Sequence, residues 1–250
     1  MDHARRNYRR GLCPEGMSSF SMAIRETDLW VAVGGHTPEV EPVSKDFQNE
    51  FATFVWRQRR LLEEYIAQFP FFGETFEPCL ASPGAPPIVL LMVRAGNIAG
   101  VGPMAAVAGA FAQLAGVWLL RKYPQVIVEN GGDLFVFCLH RVKVGIYAGS
   151  SLFSGKLAVR LKPGGPWGLC TSSGTVGPSF SHGRADAAVI LAKDALLADA
   201  IATATGNLVQ STADLGNAVD FAKKLPGVEG VLVIKDDKMA VWGDMHLEEI

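Results

Sequence analysis

Three short segments of this chain combine reactive residue types at usable spacings. In the first, Asn130-Gly131-Gly132-Asp133 stands between two apolar runs. Paired glycines let backbone amides come close to a ligand, with Asn130 and Asp133 offering an amide and a carboxylate to a ribose, a ring or a phosphate-bound metal. The plain reading is a hairpin turn, for which Asn-Gly is a common signal. In the second, Thr171-Ser172-Ser173-Gly174-Thr175-Val176-Gly177 leads to Ser181-His182-Gly183-Arg184-Ala185-Asp186. Hydroxyls and amides in such a loop can form an anion-binding nest, and His182 or Asp186 can serve as an acid–base group. The plain reading is a polar surface loop with an exposed histidine.

The third segment is Asp194-Ala195-Leu196-Leu197-Ala198-Asp199-Ala200-Ile201-Ala202-Thr203. Asp199 and Thr203 are four apart and share one face of a predicted helix. A carboxylate and a hydroxyl so placed can hold a hard cation such as Mg2+, with waters and ligand phosphates completing the shell. The small apolar residues around Asp199 predict partial burial, which demands a partner for a carboxylate. Its plain alternative is one exposed Asp on a helix. Asp194 fits the N-cap better than a ligand role. No G-x-S-x-G elbow, HExxH pair or Walker A loop is present, and Gly96-Asn97-Ile98-Ala99-Gly100-Val101-Gly102 matches a dinucleotide fingerprint only loosely.

The elements that must position these segments follow from periodicity. Ser19–Thr27 and Leu29–Val33 predict a hairpin, followed by a turn at Gly34, Gly35 and His36. Phe47, Phe51, Phe54, Val55, Leu62, Ile66 and Phe69 recur at helical spacing, predicting a helix from about Ser44, its N-cap, to a stop at Pro70. Pro83, Pro86 and Pro87 make 71–87 an irregular connection. Helices are predicted over about 88–95 and from Pro103 to about Lys122, the latter with a small-residue face. Strands then follow over 126–129, 133–139, 142–148, 157–161, 167–171 and 187–192. Two helices, about 194–209 and 212–224, precede a closing hairpin of 230–235 and 238–242. Strands, helices, strands, helices, strands is an α+β order rather than regular strand–helix alternation. It divides into an N-terminal half, 1–124, and a β-rich C-terminal half with two helices, 125–250, fused as one compact unit.

Bulk properties narrow the function classes. The 250 residues are 49% hydrophobic and 19% charged, enough apolar material for a large core. A net charge of -2, from 23 basic and 25 acidic side chains, gives no reason to expect nucleic acid. The expected partner is a small molecule, and the small-residue face of 104–113 leaves a homo-oligomer open. The four cysteines, Cys13, Cys79, Cys138 and Cys170, show no zinc spacing, and the last two lie in apolar runs as core thiols do. The basic start, MDHARRNYRR, lacks a following apolar stretch, and 104–120 falls short of the roughly 20 residues of a bilayer span. A reduced, cytoplasmic protein without membrane segments is expected.

Taken in order, the three segments resemble the ApbE family, Mg2+-dependent enzymes that transfer FMN from FAD to a protein Thr. Asn130-Gly131-Gly132-Asp133 resembles its N-x-GGD-type turn, associated with flavin binding. Thr171-Ser172-Ser173-Gly174 resembles its T-S-G segment, and Ala198-Asp199-Ala200-Ile201-Ala202-Thr203 its A-D-A-x-x-T segment, whose Asp and Thr are metal ligands. The likeness runs from roughly residue 95 to 210. It implies a T-fold-like α+β architecture of duplicated β-β-α-α-β-β units, Mg2+ at Asp199 and Thr203, and FAD or FMN near 130–133 and 171–174. Two departures stand out. Where the family has H-x-x-D-P-x-T-G, this chain reads Ser181-His182-Gly183-Arg184-Ala185-Asp186, so His182 is a loose counterpart. A Lys-Gly helix start is replaced by Gly102-Pro103-Met104-Ala105-Ala106-Val107-Ala108-Gly109. The chain most resembles a cytosolic branch of that superfamily. A Mg2+-dependent enzyme acting on a flavin nucleotide or related phosphorylated heterocycle is implied, with a non-catalytic flavin- or pterin-binding protein as the alternative.

Overall fold

The computed structural model describes residues 13–35, 42–175 and 182–250; His36 of the first turn and the 176–181 part of the second segment lie outside the described residues. The chain is α+β. Its main sheet has eight strands in the order β1-β2-β3-β4-β7-β8-β9-β10: β1 (Met17–Ile24), β2 (Thr27–Gly34), β3 (Gln125–Asn130), β4 (Asp133–Cys138), β7 (Gly164–Ser172), β8 (Ala187–Ala192), β9 (Val228–Lys235) and β10 (Lys238–Gly243). Every neighbouring pair in it is antiparallel. A second sheet has the order β11-β6-β5, from β5 (Val142–Gly145), β6 (Leu157–Leu161) and β11 (Leu247–Glu249).

The two faces of the main sheet bury separate cores, because successive side chains of a strand point opposite ways. Leu29, Val31 and Val33 of β2, with Ala188, Ile190 and Ala192 of β8, face the helices. Trp30 and Ala32, with Ala187, Val189 and Leu191, face the small sheet and meet Val159 and Leu161. Burial on both faces is why β8 reads AAVILA, without polar alternation.

The helices form the third layer. Ser44 Oγ accepts the Phe47 amide at 3.3 Å and caps α1 (Lys45–Gln68), which buries Phe47, Phe51, Val55, Leu62 and Tyr65. The 71–87 stretch expected to be irregular opens inside α2 (Pro70–Glu74), since Pro70 stops α1 yet suits a first helical position. α3 (Pro87–Ala99) follows. The helix expected from Pro103 begins as a 3-10 turn, Pro103–Ala106, before α4 (Val107–Leu119). α4 lies hard against the sheet, where a Cβ on Gly116 would meet the Phe135 ring at 2.0 Å. Asp194 Oδ1 accepts the amides of Leu196 at 2.8 Å and Leu197 at 3.2 Å, capping α5 (Ala195–Asn207) as expected. The last predicted helix divides into a 3-10 turn, Thr212–Asp214, held by a Ser211–Asp214 capping box, and α6 (Leu215–Ala222). Among the described residues, no single helix is long and apolar enough to cross a membrane.

Candidate functional site

The site forms where the β3–β4 turn, the start of α4 and the first turns of α5 converge over β7. Asn130 and Asp133 face each other across a two-residue turn, and Gly131 and Gly132 take φ of 71° and 111° there. Both values are open to glycine and strained for other residues. The Gly132 amide donates to the Glu129 carboxylate at 2.9 Å, while Asn130 Nδ2 donates to the Ala108 carbonyl at 3.1 Å. The turn is thereby tied to the first turn of α4.

That first turn presents unsatisfied amides, as every helix start does. Asp199, from a different helix, meets them: its Oδ2 accepts the Gly109 N–H at 2.8 Å. The approach depends on glycine, since a Cβ at Gly109 would lie 2.3 Å from the Ala195 carbonyl oxygen and 2.8 Å from Asp199 Cβ. Asp133 is close enough for its charge to act on Asp199. Burial first, and then the Asp133 charge, push the Asp199 carboxyl well above the usual carboxylate range; the Gly109 and Ala108 amides pull the other way. Beneath them the fully buried Cys170 thiol donates to the Ala195 carbonyl at 3.3 Å. Burial, the charges of Asp133 and Asp199, and a hydrogen bond to Asp133 hold that thiol well above its ordinary range.

Asp199, Thr203 and Asn207 stand at i, i+4 and i+8 and form one stripe along α5, spanning about 12 Å at ~1.5 Å per residue. Asp199 is buried, Thr203 half-buried. At the far end Asn207 Oδ1 accepts the His182 amide at 3.0 Å, and the His182 carbonyl accepts Gln210 Nε2 at 3.0 Å. The exposed His182 ring meets Phe76 edge-on, 5.2 Å between centroids and 80° between planes.

The described start of the second segment, Thr171–Thr175, is held by named bonds. Thr171 and Ser172 are not loop residues but complete β7, pairing with Val189 and Ala188. Sheet pairing outweighs their polarity. Ser173 Oγ accepts the Thr175 amide at 3.1 Å, and the Gly174 amide donates to the Ala185 carbonyl at 2.9 Å. Those two amides hold the loop's own shape.

His182 and Asp186 are not brought together. Asp186 is 2% exposed and accepts Thr175 Oγ1 at 3.1 Å and the Asp236 amide at 2.6 Å, with Lys235 Nζ at 3.6 Å. It fastens the 173–175 loop to the β9–β10 turn, whereas His182 belongs to Phe76 and the end of α5. Gly109, Cys170 and Phe76 had no distinguishing signal in the sequence: the first two read as small core residues, the third as part of a proline-rich connection.

A family model described as "AbpE bacteria" matches residues 10–239. A UPF0280 protein of Methanocella arvoryzae is 45% identical over 193 residues, covering 76% of this chain and 78% of its own. Another UPF0280 protein, from Methanococcus maripaludis, is 37% identical over 245 residues, covering 90% and 96%. Among solved structures, the flavin transferase ApbE from Vibrio cholerae superposes with a TM-score of 0.56 at 16% identity, over 92% of this chain and 97% of that one. The Pseudomonas stutzeri flavinyl transferase ApbE, in its apo form, gives 0.58 at 12% identity, over 90% and 93%. At such identities the likeness is one of fold.

Proposed function

We propose, from the premise that this chain belongs to the AbpE bacteria family, that it binds a flavin nucleotide or a related phosphorylated heterocycle through a divalent cation, Mg2+ being the leading case. The observation that carries this reading is the buried pair of Asp133 and Asp199. Burial first and the neighbouring Asp133 charge second push the Asp199 carboxyl up, so a negative charge here is costly on both counts. A cation relieves that cost, so the residues present fit one. Asp199 and Thr203 would hold the ion, with Asp133 alongside. Among the described residues no set of three or more His, Cys, Asp or Glu could hold a metal. A hard cation held here would draw most of its shell from waters and phosphate oxygens. The ion would neutralise a pyrophosphate and polarise the bond to be broken. Asn130, Gly131, Gly132 and Asp133 would line one side of the ligand, and Thr171, Ser172, Ser173 and Gly174 the other.

The T-fold-like reading belongs to the same proposal. β1–β4 enclose α1 to α4 in sequence and stand together in the sheet; β7–β10 enclose α5 and α6 and do likewise. Two consecutive ββ…αα…ββ units account for that order, with the seam at β4 and β7.

A second reading keeps the binding and drops the transfer chemistry. The commitment of Asp186 to Thr175, Asp236 and Lys235 favours it, because that carboxylate is engaged in holding the 173–175 loop to the β9–β10 turn. Calorimetric titration with FAD, FMN and a pterin, with and without Mg2+, tests the proposal. Micromolar FAD binding that requires Mg2+ is expected, and cleavage of the FAD pyrophosphate, with AMP released and FMN passed to an acceptor hydroxyl or to water, separates the enzyme from the binding protein. No binding of any of the three would sink both.

A further inference from the structure

We infer that β10 is the contact strand of a symmetric dimer, in which a second copy of this chain pairs its own β10 antiparallel to the first and continues the main sheet. The inference is independent of the cation site. β10 stands at one end of the eight-stranded order, and among the described residues β9 is its only neighbour. Its stretch Met239-Ala240-Val241-Trp242 is apolar without a break, as β8 is. In β8 that pattern goes with burial on both faces, whereas in β10 Met239 is 36% exposed, Val241 43% and Trp242 38%. Edge strands are ordinarily guarded by charge, proline or a bulge, and this one carries only Lys238, at its start.

The main chain of β10 is open on the same side. Ile234 turns its carbonyl away from β10, toward the Asp186 amide at 2.9 Å, so the facing Met239 directs its own N–H and C=O outward. Val241, two residues on, does the same. Antiparallel pairing through these groups has two registers that overlap most of the strand. One sets Ala240 against its own copy and brings Asp236 toward Asp244 of the second copy. The other sets Val241 against its own copy, Ala240 against Trp242 and Lys238 against Asp244. Charge selects the second, since like charges face in the first and opposite charges in the second. Asp244 is already held in place by Lys162 at 2.6 Å and His246 at 2.7 Å. On the helix side each Trp242 then covers the other copy's Ala240, which itself packs on the helical core. The opposite edge, β1, is less suited: the Pro14 carbonyl and the Cys13 thiol engage the Met17 N–H and C=O, and Phe20, Met22 and Ile24 pack on the helical core. The small-residue face of 104–113 is taken up inside the chain, where Gly109 lies against Ala195.

Sedimentation of the full chain over a concentration series, without added ligand, tests the dimer. A reversible monomer–dimer equilibrium is expected. Val241→Lys sets two ammonium groups face to face on the two-fold axis, and should raise the dimer dissociation constant at least ~10-fold with unchanged circular dichroism. Val241→Cys should crosslink under mild oxidation beyond the wild-type background, because facing residues of a hydrogen-bonded pair have Cα atoms about 5.5 Å apart, within disulfide reach. Met239→Cys should not, being displaced about 13 Å along the strand from its own copy in this register. A chain that stays monomeric up to its solubility limit, a dimer untouched by Val241→Lys, or a crosslink at position 239 in place of 241 overturns the proposal. Trimers or longer chains do so too, since they would mean that β10 docks on β1 of the next copy.

Discussion

Asp199 and Gly109 meet across the interface of two helices, the Asp199 carboxylate accepting the Gly109 amide at 2.8 Å. The carboxylate stands where α4 has an unsatisfied donor, and the glycine lets α5 come close enough to supply it. The helix pair and the acidic site are therefore one construction, and weakening either disturbs both.

Gly109→Ala should be strongly destabilising. The added Cβ would overlap the Ala195 carbonyl and press on Asp199, and overpacking of this kind costs about 1–3 kcal/mol or more. Gly216→Ala in the exposed first turn of α6 is the control: nothing lies within 4 Å of its Cβ, and a gain of about 0.5–1 kcal/mol is expected. Urea unfolding of the two variants should move the midpoint in opposite directions.

Asp199→Asn should raise Tm at neutral pH in the absence of divalent ions. The folded-state pKa of Asp199 is raised, so its contribution to stability is full below the unfolded carboxylate value and is lost as pH rises through the folded one. The variant escapes that loss. A gain of about 2–4 °C, equivalent to roughly 1 kcal/mol, is expected at pH 7.5, closing toward pH 4. Added Mg2+ should raise the Tm of wild type and leave the variant where it was. A variant less stable than wild type throughout the range would mean that the carboxylate's bond to Gly109 outweighs its repulsion from Asp133.

Asp186→Ala should cost stability and weaken Mg2+-dependent FAD binding far less than Asp199→Ala does, because Asp186 acts only through the 173–175 loop it fastens. The change removes the acceptor of two partly buried hydrogen bonds, from the Asp236 amide and the Thr175 hydroxyl, at about 0.5–1.5 kcal/mol each. A large loss of affinity with unchanged Tm would return Asp186 to the site.

Thiol titration with an aromatic disulfide should separate the cysteines into two classes. Burial pushes Cys138 up to about 12 and holds Cys170 well above its ordinary range, and both are inaccessible. Cys13 and Cys79 are only partly buried. Two thiols should react in the native protein and all four in denaturant. Rapid native labelling of Cys170 would show that the site opens to solvent.

Much of the architecture was legible because it is written locally. Ser44 and Asp194 cap helices through atoms within three residues of themselves. Gly131-Gly132 needs only positive φ to turn a hairpin. α2 escaped notice because a single helical turn has no period to detect. β11 escaped because three residues find their meaning only in pairing with β6.

By itself the sequence determined the α+β order of elements and the helical face shared by Asp199 and Thr203. It also determined the burial of Cys138 and Cys170, all consequences of residue type and short-range spacing. Only the tertiary structure decided that Asp133, Asp199 and Cys170 meet. It also decided that Asp199 takes the Gly109 amide, that Asp186 faces Lys235 and not His182, and that Phe76 reaches His182. Those pairs are separated by tens of residues, and their encounter depends on how closely backbones can approach across the sheet and helix layers. No local pattern of side chains encodes that distance.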